Sequence, residues 1–455
     1  MRNSKIAILL ISTFMMLCAC EKNNNQEDLK YLIHDSVVFT ANIKSYDFTI
    51  FNDGSSKIYY KLSQSDDYFE FPLVSGELDV GSSSTVTVNI NRENLESGTS
   101  FSRIFLTIND IIDIIDVRIE NFIGQKQILT TDVIDAEYSK ISNELVYVTN
   151  NHSLYIYNTE SKVTDNIQLS FLPTCISILA DGSKAIVGHD GHVTYVNIQL
   201  KQIINTYTVS CNTFDIVLGT NEWAYVFPYW YQWADVISID LSQTTSNGIT
   251  YNGVHTADRY SAKLHPSGKY IYAADIGIIP SDIDKFDIQN GAIQYLYDSP
   301  YHGDYSVSGD LWFSEDGSQI FTKAGNVFRT SEIEYQDIQY DGTIERNPSI
   351  EYSGIVGIDH IELKKHLYII ASDNNWYSGE IEPFISVINS DNLSFKYQLG
   401  LEKYLVPDSF EVGIFTPAIP RFIFANSNGK EIYVLTTSKY LGLDSKWAIQ
   451  TIKID

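Results

Sequence analysis

Short runs of alternating apolar and polar residues, separated by turn residues, fill the chain from Tyr31 onward. Tyr46, Phe48 and Ile50, for example, alternate with polar neighbours and are followed by a turn at residues 52–55. A period of two places successive side chains on opposite faces of a β-strand. The pattern predicts an all-β protein.

The first part of this pattern predicts a small immunoglobulin-like β-sandwich over residues 31–123. Residues 58–62 and 85–90 form further alternating runs. Residues 101–108 and 111–119 flank Asn109 and Asp110 as the two strands of a hairpin flank their turn. Several short strands at this spacing are typical of a sandwich.

Residues 124–455 repeat a unit in which a turn precedes a strand rich in Tyr, Val and Ile. Seven such strands recur at intervals of about forty to sixty residues, as expected for propeller blades with loop insertions: 145–148, 185–187, 223–226, 270–272, 319–321, 367–369 and 432–434. A single unit cannot bury both of its faces, whereas units packed around an axis can. We therefore predict a seven-bladed β-propeller.

The ends of the repeat region predict how the ring closes. Residues 447–454 are the third strand of the last unit, and little chain follows them. Residues 127–133 precede the first unit without belonging to it. We expect the segment 127–133 to complete the last blade and so hide an open strand edge.

The amino terminus predicts export and a lipid anchor. Arg2 and Lys5 precede an apolar run over residues 6–16, which is too short to span a bilayer. The sequence Leu-Cys-Ala-Cys at 17–20 resembles the bacterial lipobox, which implies cleavage after residue 19 and lipidation of Cys20. Residues 1–19 are then the signal peptide and 20–30 a flexible tether; an ordinary secretory signal cleaved elsewhere is the alternative.

Charge and cysteine content narrow the possible partners. Acidic residues number 57 against 31 Lys and Arg, for a net charge of −26. Such a charge repels phosphate backbones, so we expect no nucleic-acid partner, and we expect the anchor rather than surface charge to hold the protein at the membrane. Cys175 and Cys211 remain in the mature chain. A disulfide between them is possible after export, but two separate, partly buried thiols are favoured.

Two resemblances to known families follow from these residues. The order of segments 51–54, 68–71, 75–78, 80–82, 86–90 and 91–98 resembles the BACON module of gut-bacterial surface lipoproteins and glycan-degrading enzymes. That family often has Trp where this chain has Tyr60 and Phe69, so a spacer role is at least as well supported as sugar binding. The repeats resemble YVTN/quinoprotein-amine-dehydrogenase-like propellers, a functionally mixed group.

Candidate ligand-binding residues are the aromatic side chains in loops between the second and third strands of two units. In propellers these loops share a face, the mouth, with the connections between blades. Aromatic faces stack on sugar rings while nearby polar groups bind hydroxyls. The candidates are Tyr229, Trp230, Tyr231, Trp233, Trp376 and Tyr377. The alternative is that these rings only cap the blades.

Candidate catalytic residues are Asp258, Arg259, His302 and Asp304, which lie near the starts of innermost strands. They could perform acid–base chemistry in the axial channel, or form only a solvated ion-pair lining. His189 and His192 flank an Asp-Gly sequence that favours a turn over a metal site. Asp282, Asp284 and Asp287 lack the Gly and closing Glu of a calcium loop. No metal or cofactor is expected.

Two functions remain open. The first is a non-catalytic, membrane-anchored surface lipoprotein that captures nutrients and binds a glycan, or a surface protein complex, through the propeller mouth. The resemblances imply a location at the outer membrane, facing the cell surface. The second is a propeller enzyme, a polysaccharide lyase or glycoside hydrolase, with its site in the axial channel. The sequence does not predict the oligomeric state.

Overall fold

A computed structural model describes the backbone of most of the chain. The described residues are 31–32, 36–39, 43–92, 95, 98–121, 124–229, 234–245, 248–256, 259–277, 279–307, 309–346, 354–372, 383–406, 414–438 and 446–454. They include no helix that is long and apolar enough to cross a membrane. The chain divides into two compact units, Met1–Phe122 and Ile123–Asp455.

The first unit is a β-sandwich. One sheet has the strand order β1-β3-β7-β5 and the other β2-β9-β8-β4-β6. Their bounds are β1 Tyr31–Leu32, β2 Ser36–Phe39, β3 Ser45–Asn52, β4 Ile58–Gln64, β5 Phe69–Glu70, β6 Ser75–Leu78, β7 Ser83–Ile90, β8 Gly98–Ile108 and β9 Ile111–Asn121.

Alternation along these strands builds one core between the two sheets. In β3, Phe48 and Ile50 are buried while the residues between them face outward. β8 and β9 pair antiparallel around Asn109, whose positive φ of 52° suits a tight turn. The predicted hairpin is confirmed. Membership of the BACON family stays a prediction.

The second unit is a β-propeller, and its described residues form seven four-stranded blades. Blades 1 to 3 contain β11 Val133–Ser139, β12 Glu144–Thr149, β13 Ser153–Asn158, β14 Thr164–Gln168, β15 Pro173–Ile178, β16 Lys184–Asn197, β17 Gln202–Leu218, β18 Trp223–Pro228, β19 Ala234–Asp240 and β20 Ile249–Thr256. β16 supplies the second and third strands of blade 2, because its first half pairs with β15 and its second half with β17. β17 continues into blade 3, where it pairs with β18.

Blades 4 to 7 each keep their strands separate. They contain β21 Tyr260–Leu264, β22 Tyr270–Asp275, β23 Ile283–Asp287, β24 Gln294–Asp298, β25 Leu311–Phe313, β26 Gln319–Thr322, β27 Asn326–Arg329, β28 Gln339–Thr343, β29 Gly354–Ile361, β30 His366–Ser372, β31 Phe384–Asn389, β32 Phe395–Gly400, β35 Ile419–Ala425, β36 Glu431–Ser438 and β37 Lys446–Lys453. A small hairpin of β33 Tyr404–Val406 and β34 Ile414–Thr416 precedes blade 7. Short 3₁₀ helices span Glu334–Gln336 and Glu362–Lys364.

The ring closes with a strand from its own beginning. β10, Gly124–Leu129, pairs antiparallel with β37 and completes blade 7 as its outermost strand. The predicted closing strand is confirmed, although it begins and ends a few residues earlier than expected. Residues from Val133 onward belong instead to blade 1.

The repeated tyrosines pack between blades. Tyr225, Tyr272, Tyr368 and Tyr433 occupy the same position of the second strand in blades 3, 4, 6 and 7, and all four are almost completely buried. Their hydroxyls still find partners; that of Tyr225, for example, donates to the carbonyl of Gly291 at 2.6 Å. Burial of the ring with a satisfied hydroxyl explains why Tyr recurs at this position.

Aspartates on innermost strands link adjacent blades. The Asp135 carboxylate accepts the backbone N–H of Ile176 in blade 2 at 2.8 Å. Asp215 accepts that of Ala262 in blade 4 at 2.8 Å, and Asp359 accepts that of Ala425 in blade 7 at 2.6 Å. Each aspartate also accepts the N–H of the residue after it. These carboxylates therefore satisfy backbone donors on both sides of a blade boundary.

A buried ion pair joins blades 4 and 5. The Lys285 ammonium lies 2.7 Å from the Asp337 carboxylate, and both side chains are almost completely buried. The Asp337 carboxylate also accepts the hydroxyls of Tyr272 and Tyr297. Lys285 donates in addition to the carbonyl of Ser331. The pair is thus well hydrogen-bonded, as a buried charge requires.

Both described cysteines are free thiols. Cys175 is buried and Cys211 is half-buried in the same part of blade 2. The prediction of two separate thiols is confirmed. Burial raises the pKa of Cys211 to about 11, so at neutral pH it is not a reactive thiolate.

Candidate functional site

An aromatic and cationic group lies at the mouth between blades 3 and 4. Tyr229 directly follows β18, Phe214 lies on β17, and Arg259 directly precedes β21. The Arg259 guanidinium carbon is 5.5 Å from the Tyr229 ring centroid and 5.8 Å from that of Phe214. The two rings are 6.0 Å apart, so we call these three residues the mouth cluster.

The backbone fixes the mouth cluster in place. The N–H of Tyr229 donates to the carbonyl of Asn212 at 2.7 Å, which holds the start of the loop against the innermost strand. The Tyr229 side chain nevertheless remains 46% exposed. A positioned but accessible ring beside a guanidinium can stack on an apolar ligand face and donate hydrogen bonds at its edge.

Blade 2 adds further rings on the same face. Phe171 lies in the connection from β14 to β15, and the His192 ring stacks on it with centroids 3.8 Å apart. His189 is buried instead: its ring nitrogens lie 3.1 Å from the carbonyl oxygen of Leu172 and 2.9 Å from the hydroxyl of Thr194. Burial lowers the pKa of His189 to about 4. The two histidines thus have different partners, and neither belongs to a metal-sized group among the described residues.

The five other aromatic candidates lie in parts of the chain that the structure does not describe. Trp230, Tyr231, Trp233, Trp376 and Tyr377 lie outside the described residues. Asp258 and the lipidation candidate Cys20 lie outside them as well. These assignments stay predictions from the sequence, and of the six aromatic candidates Tyr229 is the one that the structure places.

The catalytic candidates have separate surroundings. Arg259 belongs to the mouth cluster. The His302 imidazole is paired with Asp282, with Nδ1 3.3 Å from a carboxylate oxygen. Asp304 is exposed on the connection between blades 4 and 5. The structure therefore places Arg259 against Tyr229, a predicted ligand-binding residue. It pairs His302 with Asp282, which was not among the predicted catalytic residues.

The axial channel holds an ionic network that crosses between opposite blades. Lys263 of blade 4 lies 3.6 Å from Glu137 of blade 1, and each side chain remains about one third exposed. Burial lowers the pKa of the Lys263 ammonium, but four nearby carboxylates outweigh burial and raise the pKa above its ordinary value. These carboxylates belong to Asp310, Glu137, Asp215 and Asp135. Burial in turn raises the pKa of Asp135 to about 7 and that of Asp215 to about 6, although Lys263 opposes both shifts. These residues were not among the predicted candidates, because the network joins strands of blades 1, 3 and 4 that are far apart in the sequence.

A second bridge spans the channel at the end of the innermost strands. Lys140 follows β11 and donates to Glu315 at 2.7 Å and to Asp359 at 3.0 Å. It also donates to the carbonyl of His360 at 2.9 Å. One side chain of blade 1 thereby contacts blades 5 and 6, past the intervening blade 7. We call this group the channel bridge.

Three side chains at the rim of blade 4 lie close enough to share a metal ion. Asp282, Asp298 and His302 each offer one ligand atom, and these atoms all lie within 4.8 Å of one another. The local sequence pattern suggested no more than a calcium loop for Asp282, and Asp298 was not among the predicted residues. The available signal was the strand register, since β24 ends at Asp298, four residues before His302.

Comparisons with known proteins bear on the fold. No family model and no curated protein matches the chain. Hydrazine synthase of Kuenenia stuttgartiensis is 16% identical over 72% of this chain and 97% of its own, with a TM-score of 0.49. The β-propeller domain of Myceliophteria thermophila Cps50 (Swd1) is 9% identical over 72% of this chain and all of its own, with a TM-score of 0.50. The likeness to the Cps50 domain shows a β-propeller fold, and at this identity it shows the fold alone.

Proposed function

We propose that the propeller is a non-catalytic binding module that takes a glycan through its mouth. The mouth cluster supports this proposal, because an exposed but positioned Tyr229 ring lies against Arg259 and Phe214. A pyranose can lay its apolar face on such a ring while its hydroxyls reach charged groups at the rim. The predicted loop aromatics after Tyr229 would extend the same platform.

The net charge of −26 favours a neutral ligand over a polyanionic one. A nucleic acid would bring phosphates against this charge. A neutral polysaccharide pays no such electrostatic cost. We therefore expect neutral glycans to bind better than acidic ones.

The test is affinity gel electrophoresis and titration calorimetry against a panel of plant and host polysaccharides. Tyr229→Ala should weaken binding about five- to thirtyfold, because loss of a stacked ring costs on the order of 1–2 kcal/mol. Tyr335→Ala is the matched control: Tyr335 is 75% exposed, but lies in the 3₁₀ helix between β27 and β28, on the face opposite the mouth. Its binding should match that of the unmodified protein.

Two results would contradict the proposal. If no polysaccharide binds and one protein co-purifies tightly, the mouth serves as a scaffold for a protein partner. If a polysaccharide is cleaved, with release of reducing ends or unsaturated sugars, the propeller is a lyase or hydrolase. Loss of that turnover in His302→Ala and Arg259→Ala would then assign those residues to catalysis.

We further propose that a lipid on Cys20 holds the protein at the outer membrane, in the setting of nutrient capture. The support is the signal-like pattern of residues 1–20. Cys20→Ser should move the protein from the membrane fraction to the soluble fraction and abolish labelling by a fatty-acid probe. Surface labelling of intact cells tests which side of the membrane carries it.

A further inference from the structure

The group of Asp282, Asp298 and His302 has the dimensions of a metal site. Asp282 directly precedes β23, Asp298 ends β24, and His302 follows in the connection to blade 5. Their ligand atoms lie within 4.8 Å of one another. In a tetrahedral zinc site, metal–ligand bonds of about 2.0–2.2 Å place ligand atoms about 3.3–3.6 Å apart. Nδ1 of His302 and Oδ2 of Asp282 are already 3.3 Å apart, and rotation of the exposed Asp298 side chain would bring in the third ligand atom.

A neighbouring hydroxyl already orients one of these groups. Ser299 is buried, and its hydroxyl donates to Oδ1 of Asp282 at 3.0 Å. The other oxygen of the same carboxylate, Oδ2, lies toward His302. Metal-binding carboxylates are commonly held by such hydrogen bonds, which aim the free oxygen at the ion.

The electrostatics of this rim favour an added cation. Asp284 pairs in register with Asp298 across β23 and β24. Asp275 lies beside them, because its backbone N–H donates to the carbonyl of Asp282 at 3.1 Å. Four carboxylates therefore crowd one edge of blade 4. A dication among them would offset their mutual repulsion.

We propose that Asp282, Asp298 and His302 bind one divalent transition-metal ion, with Zn²⁺ as the preferred metal. Two carboxylate oxygens and one imidazole nitrogen form a mixed donor set that suits zinc, whereas Ca²⁺ takes six to eight oxygens. Three protein ligands leave one position open. Because His302 is 64% exposed, that position faces solvent on the mouth side of the propeller.

The open position defines what the site can do. Zinc with three protein ligands and a free position acts as a Lewis acid or holds an oxygen donor of a ligand. The metal site stands independently of glycan binding at the mouth cluster, because none of its three ligands belongs to that cluster.

The test is calorimetric titration of the chelator-treated full-length protein with ZnCl₂. We expect one equivalent to bind, and a Co²⁺-loaded sample should show the visible absorption bands of a protein-bound ion. Asp298→Asn and His302→Ala should each weaken Zn²⁺ binding by more than about tenfold and remove the bands. Asp304→Asn is the matched control, because it removes one exposed carboxylate of the same connection that is not part of the group.

Ser299 is a positioning residue in this proposal. Ser299→Ala should weaken Zn²⁺ binding by about tenfold, whereas Ser299→Thr, which keeps the hydroxyl, should restore it. Far-ultraviolet circular dichroism of each variant checks that the fold is intact.

The proposal is overturned if the unmodified protein binds no Zn²⁺ or Co²⁺. It is overturned equally if folded Asp298→Asn and His302→Ala bind the metal as tightly as Asp304→Asn does. In either case His302 and Asp282 form an ordinary surface ion pair.

Discussion

At the residue scale, loss of the Lys285 ammonium should cost much of the stability of the fold. Lys285→Met leaves the Asp337 carboxylate buried without its cation. Removal of one partner of a buried pair costs about 3–5 kcal/mol. We expect a large fall in the urea concentration at the midpoint of unfolding. The fluorescence of the propeller tryptophans reports the unfolding.

An exposed ion pair between the same two blades provides the control. Lys269 pairs with Glu332 at 2.6 Å, and both side chains are about half exposed or more. Lys269→Met should leave the urea midpoint almost unchanged, because solvent screens an exposed ion pair. Equal losses for the two variants would show that the charge of Lys285 does not stabilise the fold.

The raised pKa of Asp284 predicts that its contribution to the stability of the fold decreases as the pH rises. Its folded-state pKa of about 7 exceeds its ordinary value near 4. Its contribution to stability is therefore complete below pH 4 and is lost as the pH rises through 7. Asp284→Asn should raise the thermal midpoint at pH 8 in the presence of a chelator, and this gain should shrink as the pH falls toward 4. A gain that is constant across this range, as expected for a change unrelated to titration, would contradict the assignment.

At the element scale, the hydrogen bonds between the inner-strand aspartates and the next blade predict which strand exchanges its amide hydrogens faster when one carboxylate is removed. Asp135→Ala leaves the N–H of Ile176 on β15 without its acceptor, and Asp359→Ala does the same to Ala425 on β35. A lost buried hydrogen bond costs about 1–3 kcal/mol, so local amide exchange should become about five- to a hundredfold faster. Hydrogen–deuterium exchange should show the effect on β15 for the first variant and on β35 for the second. Faster exchange on both strands in either variant would indicate general destabilisation instead.

At the scale of the whole molecule, β10 closes the ring. A chain that starts at residue 130 lacks this strand and leaves β37 with an unpaired edge. Such edges pair with other chains. We expect a lower thermal midpoint and self-association in size-exclusion chromatography, whereas a chain starting at residue 123 should stay intact. Identical behaviour of the two would show that closure by β10 contributes nothing.

The strands and turns could be predicted because their signals lie in neighbouring residues. Gly182 and Gly317 sit in the predicted turns with φ values of 71° and 73°, a conformation that favours glycine. Strand alternation and turn chemistry depend on neighbouring residues, so both were visible along the chain. The partners of Lys140 and Lys263 depend on how distant strands meet, and no local pattern records that geometry. The metal group was missed for a different reason: two of its three residues had been singled out, but the position of Asp298 follows from the register of the neighbouring strands β23 and β24, which was not predicted.

The channel bridge determines how a ligand can move through the propeller. Lys140 ties blade 1 to Glu315 and Asp359 at the end of the innermost strands away from the mouth. A ligand that left at that end would have to displace the Lys140 ammonium, which donates three hydrogen bonds there. The channel bridge therefore lies across the end of the channel away from the mouth, and we expect a ligand to enter and leave on the mouth side.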